Sequence, residues 1–333
     1  MRIGVIGAGA IGGTIAALLD RVGHLVEVTA RGEHLEKIRS SGLRLSGAWG
    51  DHVARVDAAE TLHTKPELVF LCTKAQDAAA AIRENRAQLT GIPFVVVQNG
   101  LAGLEQARTL LPGSDCVGAL ALYAASFLSP GSVSVTTPAT TYLGAGSGAA
   151  PEAAVAATRI LNAAMPAVAI ENFSGAQWTK LIVNQINAMP AITGLSAQDT
   201  LGDRRLRHII TAGMREATRV GFDAGVHYGS IQGLTNGLLR FVASAPAWAG
   251  QIVPLMMRRR MGETPNPGST LQSIRRGQAT EIDYLNGAVV GEAAQLGREA
   301  PINAALVELV HEVERTRRFL PAETVVERMR ALV

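Results

Sequence analysis

Cysteine is nearly absent. Two residues, Cys72 and Cys116, stand in a chain of 333, too few for a disulfide framework or a zinc cluster. The seven histidines fall at neither HxxH nor HExxH spacing, so no resident metal is expected. Charge is sparse as well. Charged residues make up 18% and the formal net charge is +3. The densest basic cluster is Arg258-Arg259-Arg260, which reads as a solvated helix face, so no nucleic-acid partner is expected. No uncharged apolar stretch approaches the ~20 residues that cross a bilayer, and no membrane association is expected. Met1-Arg2-Ile3 leads directly into a strand pattern, which leaves no place for a secretory signal, and the expected location is the cytoplasm. What is abundant is apolar residue, at 47%, enough for a large core. A chain of this length is expected to form two domains.

The most informative segment is Gly7-Ala8-Gly9-Ala10-Ile11-Gly12. It follows the apolar run Ile3-Gly4-Val5-Ile6 and precedes a helix-like run over 13–19. Strand, glycine turn and helix start, in that order, form the phosphate-binding corner of a dinucleotide fold. Gly7 permits the turn, Gly9 removes a Cβ from the path of the pyrophosphate, and Gly12 lets the helix pack close to the strand. The helix N-terminus offers unpaired N–H groups and partial positive charge to an anion.

The second strand is expected over 24–30, with Leu25, Val26 and Val28 as its apolar members. An NAD-selective site places Asp or Glu at its end to accept from the ribose 2′-hydroxyl. This chain has Arg31, 19 residues past Gly12. A guanidinium cannot accept that bond, but it can clamp a 2′-phosphate. The cofactor is therefore expected to be NADP(H).

The first half alternates strands and helices. Buried parallel strands are expected over 67–72 and 94–98, helices over 76–89 and 103–110, and antiparallel strands over 116–125, 131–137 and 141–143. Cys72 is expected to be an inert core thiol. An alanine-rich helix follows over 152–164, then a last strand over 168–170. From about residue 174 the pattern is helical almost throughout, with loops at Gly194, Gly202, Gly229 and 262–268. The fold class is thus α/β: a Rossmann-type dinucleotide-binding domain over 1–172, followed by an all-helical domain over 173–333. In that arrangement substrate is expected between the two, facing the nicotinamide.

Four polar groups interrupt apolar surroundings. Thr73-Lys74 and Asn99-Gly100 follow the third and fourth expected strands, where open α/β sheets bind ligands. Lys180, Asn184 and Asn187 fall at i, i+4 and i+7 of a helix, flanked by Leu181, Ile182, Val183 and Ile186. After Lys180 no charged residue occurs until Asp199, so this polar stripe calls for a partner or ligand. Pro190 is expected to end or bend that helix. The fourth group is Thr280-Glu281-Ile282-Asp283-Tyr284-Leu285-Asn286-Gly287, preceded by Ser269-Thr270-Leu271-Gln272. Ile282, Leu285 and Val289 form its expected core stripe. On this pattern alone Glu281 reads as a surface carboxylate.

Taken together, these segments resemble the ketopantoate reductase (2-dehydropantoate 2-reductase) family over almost the whole chain. The resemblance rests on the glycine motif, Arg31, Thr73-Lys74-Ala75, Asn99-Gly100, Lys180-Leu-Ile-Val-Asn184, the Ser269 stretch and the eight residues from Thr280. It implies an NADP-dependent oxidoreductase of pantothenate biosynthesis that reduces 2-dehydropantoate to pantoate. By that resemblance Lys180 is the proton donor, with Glu281 beside it in catalysis or cofactor binding. Asn184, Ser269 and Asn99 hold substrate, Asn99 and Lys74 lie at the cofactor–substrate junction, and Ala125 lines the cofactor path. Many members carry a second Asn four residues after the first, where this chain has Ala188. Asn187 is expected to serve instead. Two alternatives stay open: reduction of another 2-keto acid, and a non-catalytic NADP(H) sensor, against which Lys180, Asn184 and Glu281 argue. The C-terminal helices offer surface for a homodimer without fixing the oligomeric state.

Overall fold

Twelve short strands carry the first half of the chain in the computed structural model, which describes residues 1–261 and 265–333. They are β1 (Arg2–Ile6), β2 (Leu25–Thr29), β3 (Leu43–Gly47), β4 (His52–Ala54), β5 (Asp57–Ala59), β6 (Leu68–Leu71), β7 (Phe94–Val97), β8 (Cys116–Ala121), β9 (Ala124–Ser129), β10 (Ser132–Thr137), β11 (Thr141–Gly144) and β12 (Ala167–Ala169). Eight of them form one sheet in the order β12-β11-β8-β7-β6-β1-β2-β5. The central pairs from β2 through β8 are parallel, and β8–β11 is antiparallel. β6 and β7 are buried throughout, as strands covered on both faces must be. Chain order reverses at β1, which has β2 on one side and β6 on the other. A crevice opens at such a switch point, beyond the carboxyl ends of the strands.

A second, four-stranded sheet, β4-β3-β10-β9, packs against the Ala10–Arg21 helix. The antiparallel strand expected over 131–137 is its β10, paired with β9; β3 and β4 were not expected as strands. The stretch 116–125, expected as one antiparallel strand, splits between the two sheets, and its first part, β8, runs parallel to β7. Leu25, one of the expected apolar members of the second strand, is 67% exposed, because it opens β2. The helix expected over 76–89 starts at Ala75 and breaks at Asn85. That residue is buried and turns its side chain on the backbone: Oδ1 accepts from Leu62 N at 2.6 Å and Nδ2 donates to Ala81 O at 2.8 Å. A buried amide that satisfies itself on backbone competes with helix continuation.

The chain divides into two compact units, Met1–Ser174 and Gly175–Val333. Among the described residues the second is helical apart from an isolated bridge between Ile231 and Leu234. Its long helix, Arg204–Asp223, is capped by the Asp203 carboxylate on the N–H groups of Arg205 and Leu206, one of the stronger caps available. Leu206, Ile210, Met214 and Ala217 make its buried stripe. A buried polar chain crosses this unit. Asn286 Nδ2 donates to Gln185 Oε1 at 2.7 Å and to Asn303 Oδ1 at 3.0 Å, and Asn303 Nδ2 donates to Glu216 at 2.7 Å. The loop expected over 262–268 lies partly outside the described residues. Among those described, no helix is long and apolar enough to cross a membrane.

Candidate active site

In the first unit, three strand ends meet at one edge of the sheet. Ile6 of β1 is level with Leu71 of β6, and Leu71 with Val96 of β7. Gly7, Thr73-Lys74 and Gln98-Asn99 therefore follow one another across that edge. Gly7 has φ +96°, a conformation that only glycine adopts at low cost. Its N–H donates to Thr29 Oγ1 at 2.9 Å, and Ala8 N donates to Thr29 O at 2.9 Å, tying the corner to the end of β2. A Cβ on Gly12 would overlap the Gly7 carbonyl oxygen and lie 2.7 Å from Cys72 Cβ. A Cβ on Gly9 would meet nothing within 4 Å. The space beside Gly9 is open, as a cradle for an incoming pyrophosphate requires.

The Ala10–Arg21 helix starts at this corner with no side-chain cap and no acidic residue in its first turn. The early N–H groups, including those of Ala10, Ile11 and Gly12, have no intrahelical acceptor by construction. They are oriented for an anion. Thr73 Oγ1 and Gln98 Oε1 are buried at the neighbouring strand ends without a hydrogen-bond partner. Buried polar atoms of this kind usually answer to a ligand or water. The corner therefore fits a dinucleotide. Two residues that hold it escaped the sequence reading. Gln98 Nε2 donates to Thr73 O at 2.9 Å, lacing β6 to β7. His34 Nε2 donates to Ala8 O at 2.7 Å while its Nδ1 accepts from Gly131 N at 2.8 Å. That bonding fixes the neutral tautomer, and burial lowers its pKa.

Arg31 stands at the N-cap of the Gly32–Ser41 helix. Its guanidinium is 69% exposed and pairs with Glu84 at 2.6 Å. An exposed pair of this sort is worth ~0–1 kcal/mol, weak enough for a phosphate to displace. Lys74 caps the Ala75–Glu84 helix through its backbone and is half-buried, as is Asn99. Ala125 lies in β9 opposite Val135. Tyr123, two residues earlier, donates to Ile11 O at 3.3 Å, which brings this segment beside the glycine corner. Cys72 is half-buried rather than a full core residue. It sits under Gly12, and burial pushes its thiol far above the usual range.

In the second unit, Lys180 and Asn184 share the Phe173–Asn184 helix. Thr179, next to Lys180, is fully buried and donates to Gly175 O at 3.0 Å and to Gly229 O at 2.6 Å. Trp178 meets Tyr228 edge-on at 6.4 Å. These contacts fix the roll of the helix. The stripe is not one continuous α-helix. The chain tightens to a 3-10 turn over Gln185–Asn187, and a new helix, Ala188–Thr193, contains Pro190. Pro190 thus falls in the first turn of the new helix, where no N–H is needed, and the expected end of the first helix lies just ahead of it. Asn187 still reaches the stripe: its Nδ2 donates to Asn184 Oδ1 at 3.5 Å. Ala188 is buried.

Ser269 is exposed near the start of the Gly268–Arg275 helix, which packs on the 3-10 turn and the Ala188–Thr193 helix. Gly268, at φ +69°, brings its backbone against Asn187, where a Cβ would lie 2.7 Å from Oδ1. The segment from Thr280 is not a single helix either. It is a 3-10 turn over Ile282–Tyr284, then a helix from Asn286. Ile282, Leu285 and Val289 are buried as expected. Glu281 is half-buried rather than a surface carboxylate. Lys180 is half-buried too. Burial pulls its ammonium down from 10.5 to about 8, and the nearby Glu281 charge works in the opposite direction. The second unit thus gathers an amine with a depressed proton affinity, a carboxylate and two amides. Among the described residues, no group of three His, Cys, Asp or Glu side chains is placed to hold a metal ion.

Comparison with known proteins gives consistent results. The sequence model described as "Ketopantoate reductase PanE/ApbA" matches residues 3–148, and that described as "Ketopantoate reductase PanE/ApbA C terminal" matches residues 172–314. A 2-dehydropantoate 2-reductase of Pyrococcus horikoshii is 27% identical over 94% of this chain and 98% of its own length. One of Halobacterium salinarum is 28% identical over 95% and 99%. The crystal structure of a PanE/ApbA family ketopantoate reductase from Ralstonia eutropha JMP134 superposes with a TM-score of 0.80 at 27% identity, covering 95% of this chain and 99% of that one.

Proposed function

The chain belongs to the ketopantoate reductase family, and from that premise we propose that it reduces 2-dehydropantoate to pantoate at the expense of NADPH. The observation that carries the reading is Lys180, a half-buried amine held near pKa 8 and attended by Glu281.

Reduction of a ketone leaves negative charge on oxygen. An alkoxide is far more basic than an ammonium, so it needs a positive donor within hydrogen-bond reach. Lys180 is mostly protonated at neutral pH and its pKa lies close to that pH, which suits a general acid. Glu281 keeps the amine charged against its desolvation. Asn184, Asn187 and Ser269 offer neutral bonds to the carboxylate and hydroxyl groups of a 2-keto acid. Gly7 to Gly12, Lys74, Asn99 and Ala125 would hold the dinucleotide, and Arg31 would leave Glu84 for the 2′-phosphate. When bound, the reduced nicotinamide supplies the hydride that the ketone carbon receives.

The test is a kinetic panel with NADPH or NADH and 2-dehydropantoate, pyruvate or 2-ketoisovalerate. The reading expects the highest kcat/KM for 2-dehydropantoate with NADPH. A preference for another keto acid would reassign the substrate. Cofactor binding without turnover of any keto acid would make the chain a sensor.

A further inference from the structure

Glu281 sits in the turn Thr280–Asp283, between the Gly268–Arg275 and Asn286–Gln295 helices. Ile282 N donates to Thr280 Oγ1 at 3.3 Å, and Tyr284 N donates to Glu281 O at 2.9 Å. Both residues flanking the Glu281–Ile282 pair are instead tied to one turn of the Pro301–Thr316 helix. On one side, Thr280 N donates to Glu314 Oε1 at 2.7 Å. On the other, His311 Nε2 meets Asp283 Oδ1 at 2.9 Å. The two ties are joined, because His311 Nδ1 meets Glu314 Oε2 at 2.7 Å. His311 and Glu314 are one helical turn apart, so the helix presents them as a single clamp.

We infer that His311 and Glu314 are positioning residues, which fix the 280–283 turn so that the Glu281 carboxylate faces Lys180. The inference rests on the reading of Lys180 as proton donor. Burial disfavours a charged imidazole, yet the bonds to Asp283 and Glu314 and their negative charges outweigh it and raise the His311 pKa. As an imidazolium, His311 donates from both ring nitrogens, which is what two carboxylate partners require. Burial opposes ionisation of Glu314, and the Thr280 N–H and His311 reverse that and lower its pKa. Asp283 from the turn and Glu314 from the helix are the charges that act on His311.

With the clamp intact, Glu281 offsets part of the desolvation of Lys180. Without it, the carboxylate wanders, that offset shrinks, and Lys180 loses its proton at lower pH. The experiment is the pH profile of kcat/KM on the full chain for wild type, His311→Ala, Glu314→Ala, Glu281→Gln and the milder Glu314→Gln. Thermal melts and NADPH binding monitor folding. The wild type is expected to lose rate above about pH 8. The two clamp alanine variants should move that limb down by about half a pH unit or more, in the direction Glu281→Gln moves it. Glu314→Gln, which still accepts from Thr280 N, should move it less. A limb that stays in place in the clamp variants while Glu281→Gln shifts it would overturn the inference. A limb that Glu281→Gln itself does not move would overturn the underlying reading of the Lys180–Glu281 pair. If the alanine variants do not fold, Glu314→Gln and His311→Gln decide by the same criterion. A merely structural clamp would lower the melting temperature and leave the limb unmoved.

Discussion

Replacing Lys180 with methionine removes the ammonium and keeps most of the side chain's bulk. The structure gives the size of the effect. The pKa falls from 10.5 to about 8, with burial the larger cause and Glu281 opposing it. A tenfold change in proton affinity is worth ~1.4 kcal/mol. At neutral pH the charged amine thus costs the folded chain on the order of 3 kcal/mol. Between about pH 8 and 10.5 the unfolded chain holds a proton that the folded chain has released. Wild-type stability therefore gains from this group as pH rises through that window, and the full penalty is present below it. Lys180→Met is expected to be the more stable protein at pH 7, by up to roughly 3 kcal/mol, and to lose most of that advantage by pH 10. Its turnover should fall roughly 10²–10⁴-fold, the usual span for a lost general acid. Urea denaturation followed by circular dichroism at the two pH values reads the stability difference. A variant less stable than wild type, or an advantage that does not change with pH, would refute the reasoning.

Three further outcomes are expected. Gly9→Ala should leave stability within ~0.5 kcal/mol, since its Cβ meets nothing within 4 Å, yet weaken NADPH binding by roughly 10-fold or more in a fluorescence titration because the methyl enters the cradle. Gly12→Ala should behave differently and lose ~1–3 kcal/mol or more of stability in urea titration, because its Cβ runs into the Gly7 carbonyl. Arg31→Ala should raise the Kd of NADPH roughly 10- to 100-fold, as expected for losing a charge-assisted bond, and leave NADH binding nearly unchanged; equal losses for both cofactors would remove Arg31 from 2′-phosphate recognition.

The parts of the fold that were legible in the sequence are those with local causes. β1, the glycine corner and the Ala10–Arg21 helix follow each other without a gap, and β6 and β7 announce themselves as continuous apolar runs. The small sheet was not legible. β3 pairs with β10, nearly ninety residues later, and β4 has three residues, too few to show a period. Asn85 breaks a helix that its local propensity would allow, because Leu62 needs its side chain. Pro190 signalled the break, since a proline ends a helix ahead of itself and is at home in the first turn of the next one. Lys180 stood out because charged neighbours are scarce. Glu281 did not, because the residues tied to its turn, His311 and Glu314, lie about thirty residues on.

The most direct measurement follows NADPH absorbance after 2-dehydropantoate is added to wild type and to Lys180→Ala at matched occupancy of cofactor. The account predicts rapid oxidation by the wild type and a rate lower by roughly 10²–10⁴-fold in the variant, with NADPH binding retained. Comparable rates from the two proteins would contradict it.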